Sequence, residues 1–288
     1  MPETTLKVNG EAIPFNLPHA GLGASSFIFA PPKSGSTFLN HLIADLTKFG
    51  PQPNVNIPSA LFDAGINFQQ AKLERANLLF EADGYCFSGF RDWPRFLGGG
   101  FQLDNYKRVF MMRDPRDMLV SNYFSMAKSH PIPESGAVKE QMEENRTWAL
   151  STDINEYVLG EPLQYYRNLL DRMVRVWQNP TKHIASGDPT KQRNERKRVM
   201  LLSVRYEDVV FKKAEFAERL CKFLEWNIDP TLVTKLAKKQ DVFPDEELPE
   251  KHIRQVNPGN FRKKLDHSTI LKLNAELRSH LNLFGYEE

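Results

Sequence analysis

Short apolar runs alternate along this chain with stretches in which apolar residues return every three or four positions. The run Phe27-Ile28-Phe29 leads through a Gly/Ser-rich turn to Phe38, Leu39, Leu42, Ile43, Leu46 and Phe49, which share helical spacing. A second run, Tyr85-Cys86-Phe87, precedes Gly89 to Pro94, where the proline stops any strand. A third, Arg108 to Met112, runs into Arg113-Asp114-Pro115; Pro115 suits the first position of a helix, with Asp114 as its N-cap, and that helix is predicted to reach about Lys128. A fourth, Val199 to Val204, precedes Arg205-Tyr206-Glu207-Asp208. Helical patterns cover Asn67–Ala82, Ala214–Trp226, Pro230–Gln240 and Ser268–Leu283. Strands that are apolar throughout, alternating with helices, predict an α/β fold with a parallel sheet covered on both faces, hence three layers.

Length divides this pattern simply. Within 288 residues, residues 1–24 read as an N-terminal extension and 25–288 as a single domain. A polar loop, a long helix ending near Trp177 and the basic run Lys191 to Arg198 make 129–198 an insertion. Hydrophobic residues at 41% and charged residues at 26% fit a folded globular chain, and a net charge of +2 is too small to imply nucleic acid. Cys86 and Cys221 lie apart in apolar runs, which suits reduced thiols and a cytoplasmic setting. No membrane span or leader is read, because Pro14, Pro18 and Gly21 to Gly23 interrupt the uncharged stretch before Pro32. No His/Cys cluster has metal spacing.

Chemistry enters at the strand-to-helix turn Pro32-Lys33-Ser34-Gly35-Ser36-Thr37-Phe38. The first turn of a helix offers free N–H groups and a positive dipole end, so an anion is its natural occupant, and Gly35 allows close approach. Nucleotide triphosphatases place the lysine after the glycines of this loop, whereas Lys33 comes before Gly35. The plainer alternative is a serine-rich N-cap beside a solvated lysine. In an open parallel sheet, ligands bind at the carboxyl ends of strands. Three such ends carry chemistry: the Lys33 loop, Asp92, and Arg113 with Ser121 eight residues on; the late loop Arg254 to Lys264 adds further cations.

These motifs resemble the sulfotransferases that use 3′-phosphoadenosine 5′-phosphosulfate (PAPS). The family loop Pro-Lys-Ser-Gly-Thr-Thr-Trp is matched from Pro32 to Phe38, and Arg113-Asp114-Pro115-Arg116-Asp117 with Ser121-Asn122-Tyr123 keeps the spacing of its second motif. Tyr206-Glu207-Asp208 is also typical of the family, while Arg254 and Gly259 preserve only part of the late motif. The resemblance implies a P-loop-type fold and a donor site that leaves adenosine 3′,5′-bisphosphate (PAP) as product. Lys33, Ser34, Gly35, Ser36 and Thr37 would hold the 5′-phosphate, and Lys33 would stabilise the departing oxygen. Arg113 and Ser121 would clamp the 3′-phosphate together with Arg254, Gly259 would belong to the same nucleotide site, and Phe38 and Tyr206 would lie on the adenine. No metal is implied.

Many members take the acceptor proton with a histidine in Lys-Thr-His-x-Pro. Aligning Pro94 with that proline places Asp92 on the histidine, so Asp92 is the expected base; His130 and His252 are the runners-up, and His41 is read on the polar side of its helix. The expected acceptor is a small molecule with a hydroxyl or amine. Acidic residues crowd Glu134–Glu161 (Glu134, Glu140, Glu143, Glu144, Asp153, Glu156, Glu161) and Asp241–Glu250, which raises the expectation of a cationic acceptor. Two rivals remain: a nucleoside-kinase type phosphotransferase, and a non-catalytic module that binds adenosine bisphosphate. Oligomeric state is not legible.

Overall fold

The computed structural model describes residues 5–97, 101–129, 137–177, 200–241 and 256–287. Five strands, β3 (Ser26–Phe29), β4 (Asn54–Val55), β5 (Cys86–Phe90), β6 (Lys107–Met112) and β7 (Leu201–Arg205), form one sheet in the order β4-β5-β3-β6-β7. All of its pairings are parallel. The order reverses at β3, so the chain after β3 leaves the sheet between two strands that come later in sequence. Ligands of open α/β sheets occupy such a point.

Alternation along β3 and β6 explains the layers. Phe27, Phe29, Phe110 and Met112 enter one core, with α4 (Pro115–Phe124), α6 (Ile154–Leu159), α7 (Glu161–Trp177) and α12 (His267–Phe284). Ile28, Ala30, Val109 and Met111 enter the other, with α1 (Ser36–Leu46), α9 (Lys213–Leu224) and α10 (Pro230–Lys238). With both faces covered, the strands need no polar side, which is why they read as continuous apolar runs. Each fully buried Phe contributes about 1.5 to 3 kcal/mol.

The structure departs from the sequence pattern in several places. Residues 5–14 form a hairpin, β1 (Thr5–Val8) and β2 (Glu11–Pro14), which buries Leu6, Val8 and Ile13 with Ala71 and Leu73. That hairpin also accounts for the missing helix: of Asn67–Ala82 only α3 (Ala76–Phe80) is helical. Val8 forms a bridge with Leu73, and Asn9 and Lys7 take backbone hydrogen bonds from the same segment, so residues 72–74 are held extended. Two short α-helices, α2 (Ile57–Asp63) and α8 (Tyr206–Val209), and α5 (Ala137–Ser151) and α11 (Phe261–Lys264) complete the list. Helix α4 stops at Phe124 and continues as a π-type turn over Ser125–Ser129. The basic run 191–198 lies outside the described residues. No helix among the described residues is long and apolar enough to cross a membrane.

One buried cation ties the sheet to the last helix. Arg116 donates to both carboxylate oxygens of Asp114 (2.9 and 2.7 Å), to Asn274 Oδ1 (2.7 Å) on α12 and to the Glu287 carbonyl (2.6 Å). Its guanidinium also lies 4.3 Å from the centroid of the Phe261 ring. Asp114 meanwhile caps α4 through Arg116 N. Removing one partner of such a buried pair strands the other charge. Arg116→Ala is therefore expected to lower unfolding free energy by about 3 to 5 kcal/mol in urea titration; a loss below about 1 kcal/mol would mean the pair is solvated like a surface bridge.

Candidate active site

The carboxyl ends of β3, β5, β6 and β7 open onto one cavity of about 850 Å³. Small-molecule sites span ~300–1,000 Å³. The loop after β3 supplies its floor. Lys33 and Gly35 are both left-handed, with φ of 68° and 89°. At Gly35 a Cβ would sit 2.8 Å from a Tyr206 ring carbon, so both conformation and space demand glycine there. The Ser34 hydroxyl is buried and donates to the Pro31 carbonyl (2.7 Å), which ties the turn together and keeps it off the cavity lining. Ser36, Thr37 and Phe38, in the first turn of α1, do line it.

Lys33 points across the loop and donates to Ser125 Oγ (2.7 Å), in the turn that follows α4. Burial first, then the charges of Arg91 and Arg113, lower its pKa to about 8. Three cations thus share one cavity wall. An anion placed among them would relieve both the lost hydration and the mutual repulsion.

Arg113 is buried and stacks 4.7 Å from the Tyr206 ring centroid. Burial alone would lower its pKa, but Asp117, Tyr206 and Glu207 outweigh that and raise it. It bonds Asp117 (3.3 Å), while its buried Nε has no hydrogen-bond partner among the described residues. Asp117 in turn accepts from the backbone N–H of Gly259 (2.8 Å) and Phe261 (2.9 Å). Gly259 is therefore brought beside Arg113 without reaching the cavity lining; it docks the late loop onto α4. The Tyr206 hydroxyl closes the same loop by donating to the Val256 carbonyl (3.0 Å). Ser121, on α4, faces the cavity. Arg254, His130 and His252 lie outside the described residues.

Phe38 lines the cavity beside Phe216, with the Lys213 ammonium 5.7 Å from its ring centroid. Lys213 and Gln240 also line the cavity, and no local motif marks either of them. Arg91, beside Asp92 in the chain, is another. Asp92, the expected base, does not line the cavity. Its carboxylate accepts from Arg172 through Nε (2.9 Å) and Nη2 (2.6 Å) and from the Trp93 N–H (2.7 Å). A proton arriving there would break a two-pronged ion pair, so this geometry does not suit a base. His41, expected on a polar helix face, is exposed and also lines the cavity, as does Glu161 at the start of α7. Glu140, Glu143 and Glu144 instead line a separate groove that shares Trp148 with the cavity.

No curated protein matches the chain. Among solved structures, retinol dehydratase in complex with androsterone and inactive cofactor PAP is 15% identical with a TM-score of 0.49, covering 89% of this chain and 80% of that one. Mouse sulfotransferase SULT7A1 complexed with PAP is 12% identical with a TM-score of 0.47, covering 90% and 84%. The sulfotransferase domain from the curacin biosynthetic pathway is 16% identical with a TM-score of 0.33, covering 93% and 99%. The phosphate loop lies before the matched span of the family model, whereas Arg113, Ser121, Tyr206 and Gly259 lie inside it. That model, the sulfotransferase domain, matches residues 94–264, more than half of the chain, and the chain belongs to this family.

Proposed function

We propose that the protein transfers a sulfuryl group from PAPS to a hydroxyl or amine of a small-molecule acceptor, leaving PAP. The observation that carries this reading is the pair of separate cationic positions on one cavity: the left-handed loop with Lys33, and Arg113, whose buried Nε has no hydrogen-bond partner among the described residues. A nucleoside kinase would need the first but has no use for the second.

The residues present fit the donor. The first-turn amides of α1, with Ser36 and Thr37, suit a 5′-phosphate; Arg113 and Ser121 suit a 3′-phosphate; Phe38 and Tyr206 offer rings to the base. In the transfer, the sulfur leaves the oxygen it shares with the 5′-phosphate and bonds the acceptor oxygen or nitrogen. Lys33 holds positive charge where the departing oxygen becomes negative, an interaction stronger in the transition state than before it. The acceptor must also lose a proton. Glu161 is the carboxylate that lines the cavity among the described residues, and it replaces Asp92 as our candidate base. Of the acidic residues expected to attract a cationic acceptor, Glu161 is again the one that faces the cavity among those described, so that expectation loses most of its support.

Labelled PAPS offered with a panel of phenols, alcohols and amines tests the reaction. Label on an acceptor is the expected result. PAP binding without transfer to any acceptor or to water would favour the binding module, and phosphate transfer from ATP would favour the kinase.

A pH dependence follows from Lys33. Its free-state pKa, lowered to about 8, means it is charged below that pH and neutral above it. A bound phosphate favours the charged form and raises the pKa, so PAP affinity should be level below about pH 8 and fall above it, by up to about tenfold per pH unit, with proton uptake on binding. Calorimetry in buffers of different ionisation enthalpy reads both quantities. Lys33→Met should flatten the profile; an unchanged slope in that variant would remove Lys33 from the anion site.

The proton acceptor has its own test. Glu161→Gln should lower kcat by about two to four orders of magnitude while PAP affinity holds. Asp92→Asn should act instead through stability, because it weakens the pair with Arg172. If Asp92→Asn leaves the melting temperature unchanged but abolishes turnover, the assignment to Glu161 is wrong.

A further inference from the structure

Arg91 has no place in the donor site described above, yet it lines the same cavity. Strand β5, which delivers it, and strand β6, which delivers Arg113, lie on opposite sides of β3 and its phosphate loop. Arg113 stacks on Tyr206, at the end of β7, and so marks the nucleoside side. Arg91 stands on the other side of Lys33, within electrostatic reach of Tyr165 and Tyr166 on α7. That side is where an acceptor must approach if Lys33 faces the departing oxygen.

The surroundings of Arg91 leave it a charge to spare. Its neighbour Asp92 is committed at both oxygens to Arg172. Among the described residues no carboxylate forms an ion pair with Arg91. Its side chain has substantial accessible surface, reached through the cavity it lines, and the protein around it still displaces enough water to lower its pKa. A guanidinium in that position presents a planar fork suited to carboxylate, phosphate or sulfate. Nearby lining from Trp148, Tyr157, Pro162 and Tyr165 is largely aromatic or apolar, so the rest of the acceptor would pack against rings.

We propose that Arg91 is a specificity-determining residue: it forms a third anion subsite, beyond the two phosphate positions, that reads an anionic group carried by an aromatic or apolar hydroxyl acceptor. This rests on the PAPS reading of the cavity, because that reading decides which side of Lys33 belongs to the acceptor. The same oxyanion chemistry could also come from the donor, whose sulfuryl oxygens pass close to Lys33. PAP lacks that group, which allows the two sources to be told apart.

The test is equilibrium binding of a matched pair of probes, para-hydroxybenzoate and para-hydroxybenzamide, to wild-type protein saturated with PAP, followed by calorimetry at low and high salt. The wild type should prefer the carboxylate by about tenfold or more, with the preference shrinking as salt rises. Arg91→Gln should bring the two probes to within about threefold of each other, and Arg91→Lys, which keeps one charge without the fork, should fall between. PAP affinity and the thermal transition of each variant establish that the fold and donor site persist. No preference in the wild type, or a preference that survives Arg91→Gln, overturns the proposal. So does a loss of PAPS affinity in Arg91→Gln with PAP affinity and probe preference both unchanged, which would assign the guanidinium to the sulfuryl group. If PAP itself fails to bind, the donor reading falls, and the same probes titrated against protein alone still decide whether Arg91 reads an anion.

Discussion

Three cations, Arg91, Lys33 and Arg113, gathered in one partly dry cavity set the constraint that their surroundings must meet. Each stands at the carboxyl end of a different strand, and the three strands are neighbours in the order β5, β3, β6. Lost hydration is the larger cost to the lysine and the charges of Arg91 and Arg113 add to it, so that its pKa falls to about 8. A displacement of that size corresponds to about 3 kcal/mol against the charged form. An anion among these charges would offset part of that cost.

Holding the charges takes specific second partners. Asp117 grips Arg113 and, with its two oxygens, also fastens Gly259 and Phe261 of the late loop, so the loop and the arginine share one buried carboxylate. Tyr206 packs against both Arg113 and the space above Gly35, and its hydroxyl reaches Val256. Ser125 takes the proton side of Lys33. On the far side, Arg172 occupies Asp92, which prevents Asp92 from neutralising Arg91. Asp117 and Asp92 thus serve to orient arginines, and Glu161 is the carboxylate among the described residues that lines the cavity.

The centre of the sheet was legible because β3, β5 and β6 are buried on both faces and so form apolar runs, as at Phe27-Ile28-Phe29 and Val109 to Met112. Arg113, Ser121 and the Lys33 loop were legible because their chemistry is local: a residue type at a fixed distance from a strand end or helix start. What sequence could not display was pairing between distant segments. Residues 72–74 look helical by period, but the hairpin at 5–14 claims them as an extended partner. Asp92 looked like a base because nothing within its own segment suggests Arg172, eighty residues away, as its partner. Gly259, expected in the nucleotide site, gives its N–H to Asp117. Glu161 and Arg91 reach the cavity through tertiary placement, with no local motif to mark them.

The central claim is that this cavity holds two phosphates at separate positions, one on the α1 loop and one at Arg113. Calorimetric titration of wild-type protein with PAP and with AMP, at matched ionic strength, addresses it most directly. The account predicts that PAP binds more tightly by roughly 2 to 4 kcal/mol, the contribution of a charge pair removed from water. Equal affinities for the two nucleotides would contradict it, because Arg113 would then hold no phosphate.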